Sequence, residues 1–187
     1  MAICGKSASG KDTLAKSLEK QTLDGKRIRK MVNITTRPPR EGEVDGIDYH
    51  FVDADKFCDY KKKRKLLEWT NFRGWHYGSI KDEIVPQCVN IGIFNKSGIE
   101  SLVKYRKQFN IILVYISCSL GKRLKRSYHR EKKWRLEFFR RAMADFWDFR
   151  DMGYFLSMFD GKSIELNGNE SIQMEYLKKF LTQHIGC

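Results

Sequence analysis

A three-layer α/β domain built on a parallel sheet is the fold class this sequence predicts, and three observations carry it. A very short apolar stretch, Ala2-Ile3-Cys4, runs through a glycine-bounded turn into a helical pattern. Val89-Asn90-Ile91-Gly92-Ile93-Phe94 and Ile111 to Ile116 are short apolar runs of the kind buried on both faces of a parallel sheet. Ser97 to Lys107, between those runs, is a plausible crossover helix. Strands alternating with helices after a strand–loop–helix opening give a parallel sheet with helices on its faces.

The remaining elements follow in chain order. Thr13 to about Thr22 reads as a helix with Leu14 and Leu18 one turn apart, ended by Asp24-Gly25. Arg27 to Ile34 has strand character and leads into Thr35-Thr36-Arg37-Pro38-Pro39-Arg40, whose two prolines stiffen an extended loop and fix where the arginines point. A polar, turn-rich stretch from Glu41 to Val52 comes next, and Asp53 to Glu68 looks helical. Arg123 to Arg150 is a long, basic helical region in which Phe139, Met143, Phe146 and Phe149 recur at helical spacing, which predicts a core face. Ile164-Glu165-Leu166 is a last short strand, and Met174, Leu177 and Leu181 line a final helix.

At 187 residues the chain suits one domain with inserts, and 41% hydrophobic against 32% charged residues is a globular balance. The longest apolar run is far too short to span a bilayer, and Lys6 and Lys11 interrupt the N-terminus where a leader would need apolar residues, so a cytoplasmic protein is expected. Five scattered cysteines, none spaced C-x-x-C, read as reduced thiols with no zinc site. The formal net charge of +13 suits either nucleic acid or nucleotides, which are themselves polyanions. No recognised nucleic-acid-binding motif accompanies the charge. Composition does not separate nucleic acid from nucleotides; the glycine-rich motif at residues 5–12 points to small-molecule nucleotides as partners, with no membrane partner and no specified oligomer. Lys61-Lys62-Lys63-Arg64-Lys65 matches a nuclear-localisation tract, but in a helical pattern it reads as a solvated helix face.

Gly5-Lys6-Ser7-Ala8-Ser9-Gly10-Lys11-Asp12 is nearly the G-x-x-x-x-G-K-[ST] phosphate-binding loop. Its glycines let backbone amides turn inward around phosphate oxygens, and the following helix adds its positive end. Lys11 would reach the outer phosphates of a nucleoside triphosphate. Gly5, Ser7, Ala8, Ser9, Gly10, Lys11, Asp12 and Thr13 are the candidate donor-binding residues. Asp12 stands where a hydroxyl normally ligates magnesium, and Thr13 supplies a hydroxyl one position later. Asp12 can be read as a hard metal ligand or as an acid favouring the helix dipole in the first turn.

The phosphate loop taken with Thr35 through Val52, and with Glu68-Trp69-Thr70-Asn71-Phe72 through Tyr77-Gly78-Ser79, resembles the guanylate kinases. The resemblance covers essentially the whole chain and weakens after about residue 90. It implies a three-layer P-loop kinase with a parallel sheet, a small mixed acceptor-binding insert and a helical lid. The expected division is core 1–32 and 90–122, GMP-binding insert 33–89, lid about 123–141 and core 142–187. The implied reaction is phosphoryl transfer from MgATP to GMP or dGMP, with Mg2+ as cofactor. The alternatives are a kinase of the same fold with altered or broader acceptor choice, and a non-catalytic guanylate-kinase-like interaction module. Modules of that class typically lose the phosphate loop, whose Gly5, Gly10 and Lys11 are retained here.

Where residues match, the family's roles carry over. Arg37, Arg40, Tyr49 and Tyr77 would bind the acceptor phosphate, arginine because its planar fork pairs two oxygens at once. Glu43 would orient the arginines. Glu68 would accept from guanine N1–H and the exocyclic amine, whereas the bare N1 of adenine would face it lone pair to lone pair. Ser79 would add a contact to the base. Arg126, Arg130, Arg140 and Arg141 lie where the family carries lid arginines, with Arg130 and Arg141 fitting best, and Asn167 lies where it contacts adenine. With Lys11 and Arg37, the lid pair Arg130 and Arg141 forms the implied catalytic set.

Besides Asp12, three positions depart from the pattern. Asn33 replaces a serine that donates to guanine O6, which an amide can also do. Ile93 and Asn95 replace two aspartates after a strand, one of which helps to hold magnesium. Ile93 can do neither job, and Asn95 retains a carbonyl acceptor.

Overall fold

The chain buries its first strand most deeply. A computed structural model describes residues 1–72, 74–131, 136–167 and 170–185. β1 (Ala2–Gly5) enters α1 (Lys11–Glu19) through the glycine-bounded loop, and β2 (Thr22–Leu23) and β3 (Lys26–Lys30) form a hairpin. β4 (Ile34–Thr35), β5 (His50–Phe51), α2 (Ala54–Lys62), β6 (Leu66–Phe72) and β7 (Trp75–Ile80) make the insert. The chain returns to the core with β8 (Val89–Phe94), α3 (Lys96–Val103) and β9 (Leu113–Ser117). α4 (Leu120–Glu131), α5 (Leu136–Asp148), α6 (Met152–Ser157), β10 (Ser163–Asn167) and α7 (Glu170–Ile185) complete it.

The main sheet has the strand order β10-β9-β1-β8-β3-β2, parallel except for the short edge strand β2. Alternation along each strand sends side chains to opposite faces. Ile3, Val114, Ile116, Ile164 and Leu166 pack with Ala15 and Leu18 of α1 and Leu177 and Leu181 of α7. Ala2, Cys4, Leu113, Tyr115 and Phe94 pack on the other face with Ile99 and Leu102 of α3 and with Phe149, Met152 and Phe155. These are the three predicted layers. The insert is a second sheet, β5-β4-β7-β6, with its own small core of Ile34, Phe57, Leu66 and Ile80.

Several expectations from the sequence are corrected. α1 begins at Lys11, two residues before Thr13, because Gly10 at φ 108° ends the loop and frees the next residue to turn helical. Asp24-Gly25 is the hairpin turn between β2 and β3: both residues have positive φ, 48° and 73°, as a tight two-residue hairpin requires. The stretch 53–68 is helical only to Lys62. Asp53 caps α2 by accepting from Lys56 N at 2.7 Å, Arg64 reverses the chain at φ 54°, and Leu66, Leu67 and Glu68 join β6, where pairing with β7 overrides the helical pattern. The basic tract 61–65 therefore straddles a helix end. Its Lys61 ammonium lies 3.5 Å from the Trp69 ring centroid.

The described residues of the stretch 123–150 are helical through α4 and α5, but its apolar stripe is not core. Phe139, Met143 and Phe146 are exposed and only Phe149 of that set is buried, because the inward side is the one that carries Asp145 on α5 and Phe149 just past its end. Among the described residues no helix is long and apolar enough to cross a membrane.

Candidate active site

β1 lies between β8 and β9 with all three strands parallel, so their C-terminal ends open onto one edge of the sheet. Such an edge is where parallel α/β sheets place ligands. The phosphate loop leaves β1 at this edge. Gly5 has φ 151°, and a Cβ there would sit 2.6 Å from the Ile116 carbonyl oxygen and 2.9 Å from Ser9 Oγ. Only glycine fits that approach, so the loop is closed tightly over the sheet. Lys11 Nζ donates to Gly5 O at 2.8 Å and Lys6 O at 2.9 Å, which curls the loop around its own cation. Burial pulls the Lys11 pKa down, while Asp12 and Asp145 favour its charged form. Asp12 is exposed in the first turn of α1, and its charge is felt by both Lys11 and Tyr49. Thr13 beside it is also exposed, and the Ser9 hydroxyl is buried with no hydrogen-bond partner among the described residues.

Across the cleft stands the insert sheet. Glu68 on β6 and Ser79 on β7 are buried, and the Ser79 hydroxyl donates to Glu68 Oε1 at 2.8 Å. Ser79 Oγ also lies 3.1 Å from the Asn33 amide oxygen. A hydroxyl has one proton to give, so the Asn33 contact is completed when its amide presents NH2 to Ser79. Burial raises the Glu68 pKa, and the Ser79 hydrogen bonds only partly oppose it.

Arg37 is buried, its Nη2 is 2.9 Å from both oxygens of Glu43, and its guanidinium lies 5.5 Å from the Tyr49 ring centroid. Tyr77 is a further hydrogen-bond partner of Arg37, and its ring meets that of Tyr49 edge-on at 6.2 Å. Burial opposes ionisation of Glu43, but the Arg40 backbone amide, at 2.7 Å, and Arg37 together hold its pKa below the usual range. Glu43 thus orients Arg37 directly and Arg40 through the backbone, leaving the Arg40 side chain exposed.

The two halves share one cavity of about 280 Å³, lined by Gly5, Ser7 and Lys11 on one side and by Asn33, Tyr49, Glu68 and Tyr77 on the other. Ile93, Asn95, Asp145 and Asp148 complete its wall. Asn95 needs a correction. Its amide oxygen caps α3, accepting from Gly98 N at 2.8 Å and Ser97 Oγ at 3.0 Å, so the carbonyl expected to be available is already engaged and its NH2 remains. Asn167, at the end of β10, lines a separate cavity with Lys6, Ser117, Cys118 and Lys122.

Among the described residues, Arg123 and Arg126, both from α4, touch the phosphate loop: Arg123 Nη1 is 3.3 Å from Ser7 O, and Arg126 Nη1 is 2.8 Å from Ser9 O. Arg140 is exposed, and the side chains of Arg130 and Arg141 lie outside the described residues. Sequence reading missed Arg123, Asp145 and Asp148. The only signal available was that the basic helical region carries acids at Asp145 and Asp148, one helical turn apart, beside Glu131 and Glu137 earlier in it.

Glu68 sets a stability prediction. Folding raises its pKa, so the folded state holds a proton that the unfolded state releases, and stability falls as pH rises past the ordinary glutamate range. Glu68→Gln should remove that dependence and be no less stable than the parent at pH 7, read by urea denaturation across pH. A clear loss of stability at pH 7 would show that the carboxylate supports the fold.

Similarity to known proteins agrees with this geometry. The family model described as guanylate kinase matches residues 1–152. A guanylate kinase of Bacillus anthracis is 34% identical over 111 residues, 58% of this chain and 53% of the relative. One from Thermobifida fusca is 37% identical over 85 residues, 46% of this chain and 42% of the relative. The chain thus spans about half the length of the curated relatives it matches. The crystal structure of guanylate kinase from Anaplasma phagocytophilum superposes with a TM-score of 0.65 at 20% identity, covering 98% of this chain and 82% of that one, a likeness of fold.

Proposed function

Because the chain belongs to the guanylate kinase family, we propose that it transfers a phosphoryl group from MgATP to GMP or dGMP, giving ADP and GDP or dGDP. One observation carries the reading: a single cavity joins Gly5, Ser7 and Lys11 to Asn33, Glu68 and Tyr77. The division into core, GMP-binding insert 33–89 and lid about 123–141, and a cytoplasmic location, belong to the same proposal.

The chemistry asks for alignment and positive charge more than for covalent help. The acceptor phosphate is already a nucleophile and needs no general base. Arg37 and Arg40 hold it, with Tyr49 and Tyr77 donating without added charge. Glu68 reads guanine N1–H and N2–H, and Ser79 and Asn33 complete the base contacts. Lys11 and the loop amides from Ser7 to Thr13 take the donor phosphates, Asn167 meets the donor base, and Arg130 and Arg141 close over the triphosphate. Movement of insert and lid excludes water, which otherwise hydrolyses ATP.

Magnesium fits the residues present in a particular way. Among the described residues no group of three or more acidic, histidine or cysteine side chains could hold a metal. That suits an ion carried largely by phosphates and water with one or two carboxylates, here Asp12 with the Thr13 hydroxyl beside it. Bound there, it would supply positive charge at the transferring phosphoryl group.

Altered acceptor choice is the second reading, favoured by Asn33 and by the engaged carbonyl of Asn95. Coupled ADP release with GMP, dGMP, AMP, CMP and dTMP separates the two. Activity on the guanine nucleotides alone supports the proposal, and equal use of AMP would replace it with the second. In the same assay Arg40→Ala and Tyr77→Phe should raise the Michaelis constant for GMP and leave that for ATP nearly unchanged. Arg40 should cost more, because a charge-assisted contact exceeds one hydroxyl bond. A raised ATP constant would move both residues to the donor site.

Asp12 generates a separate expectation. Its carboxylate repels metal-free triphosphate and suits a metal-bound one. Asp12→Ala should bind metal-free ATP at least as well as the parent, yet lose turnover with MgATP. Equal magnesium dependence of ATP binding in both proteins would reduce Asp12 to a helix-dipole acid.

A further inference from the structure

The phosphate loop holds an anion supplied by the protein itself. Ser7 N donates to Asp145 Oδ2 at 2.7 Å, and Ser7 Oγ lies 3.3 Å from Oδ1. A short, charge-assisted bond of this kind is what a phosphate oxygen makes with such a loop. The carboxylate comes from α5 and is mounted on Arg123, whose Nη1 lies 2.9 Å from Oδ2. Both side chains are largely buried, at 5% exposure for Arg123 and 12% for Asp145. Arg123 Nε is buried with no partner among the described residues, so this guanidinium has donor capacity to spare. Lys11 is meanwhile turned onto the loop carbonyls of Gly5 and Lys6. The Ser7 amide and the Lys11 ammonium, both expected to meet a phosphate, are satisfied from within.

We propose that Asp145 is an internal occupant of the phosphate loop, and that a donor phosphate must displace it from the Ser7 amide. The inference rests on the donor-nucleotide reading of the loop. One N–H cannot serve carboxylate and phosphate at full strength together, and two anions at one amide repel. Displacement leaves Arg123, buried and still charged, as a ready partner for the incoming phosphate. It also moves α5, because Asp145 lies on the stripe that packs inward with Phe149. Donor binding is thereby tied to the position of the helix that carries Arg140 and Arg141. A purely structural Arg123–Asp145 pair predicts the opposite sign: breaking it would loosen the loop and weaken binding.

The test is nucleotide binding to Asp145→Asn in the full chain, with ADP and with inorganic pyrophosphate, by calorimetry in excess chelator. The variant keeps the shape and removes the charge. It should bind both probes about tenfold more tightly than the parent, the size of one charge-assisted hydrogen bond no longer opposed, even if it melts at a lower temperature. Equal or weaker binding of both probes by the folded variant would overturn the displacement. A gain on pyrophosphate with no ADP binding by either protein would overturn the nucleotide reading and leave the displacement standing. A carboxylate acting as a metal ligand would show no gain in chelator and a loss with magnesium, which also overturns it. Should the variant not fold, hydrogen exchange in the parent decides: the Ser7 amide must be protected without nucleotide, and unprotected exchange would sink the proposal.

Discussion

The burial of a four-residue strand governs this molecule. Ala2, Ile3 and Cys4 of β1 are at most 1% exposed, and the strand is paired on both sides. Its last residue, Gly5, must adopt a backbone that no other residue tolerates against the Ile116 carbonyl. From that point the loop, the helix behind it and the cleft have little choice of position. The same parallel pairing brings the end of β8, and so the wall formed by Ile93 and Asn95, to the same edge of the sheet. A chain reversal from β7 through residues 81–88 then hangs the insert sheet opposite the loop. The site is where two sheets face each other, and the phosphate loop is the fixed half.

The chemistry of that site is one of internally balanced charge. Arg37 leans on Glu43, Arg123 on Asp145, and Lys11 on carbonyl oxygens of its own loop. Buried cations are tolerable only when paired or hydrogen-bonded. Glu43, Asp145 and the loop carbonyls supply that pairing here. Glu68 is the opposite case, a buried carboxylate supported mainly by Ser79 and raised in pKa by its surroundings. It is stabilised fully only by donors arriving from outside, as N–H groups of a guanine would. Charge that is costly to the fold sits where a ligand would meet it.

Much of this was legible in the sequence because it was local. Val89 to Phe94 is β8 residue for residue, since an apolar run between turn residues has few alternatives. The loop after β1 was readable from its glycines, and Thr35–Val52 and Glu68–Ser79 supply Tyr49, Glu68 and Tyr77, which line the same cavity. What stayed hidden depended on contacts distant along the chain. Leu66–Glu68 continue a helical pattern, and only β7 makes them a strand. The aromatics of α5 have core spacing, yet the fold turns Asp145 and Phe149 inward and leaves Phe139, Met143 and Phe146 exposed. Asp145 meets Ser7 across most of the chain, and no local pattern announces such a contact.

On the proposed function, one continuous cleft takes both nucleotides, the donor on the phosphate loop and the acceptor on the insert sheet. The most direct measurement is calorimetric binding of a bisubstrate compound, adenosine and guanosine joined through five phosphates. If the two half-sites face each other across the cavity, joining the ligands makes the second contact intramolecular, and affinity should exceed that for ATP or GMP by about 10²-fold or more. It should also outbind the diadenosine compound of the same length. Binding no tighter than ATP alone, or equal binding of the two compounds, would contradict the account.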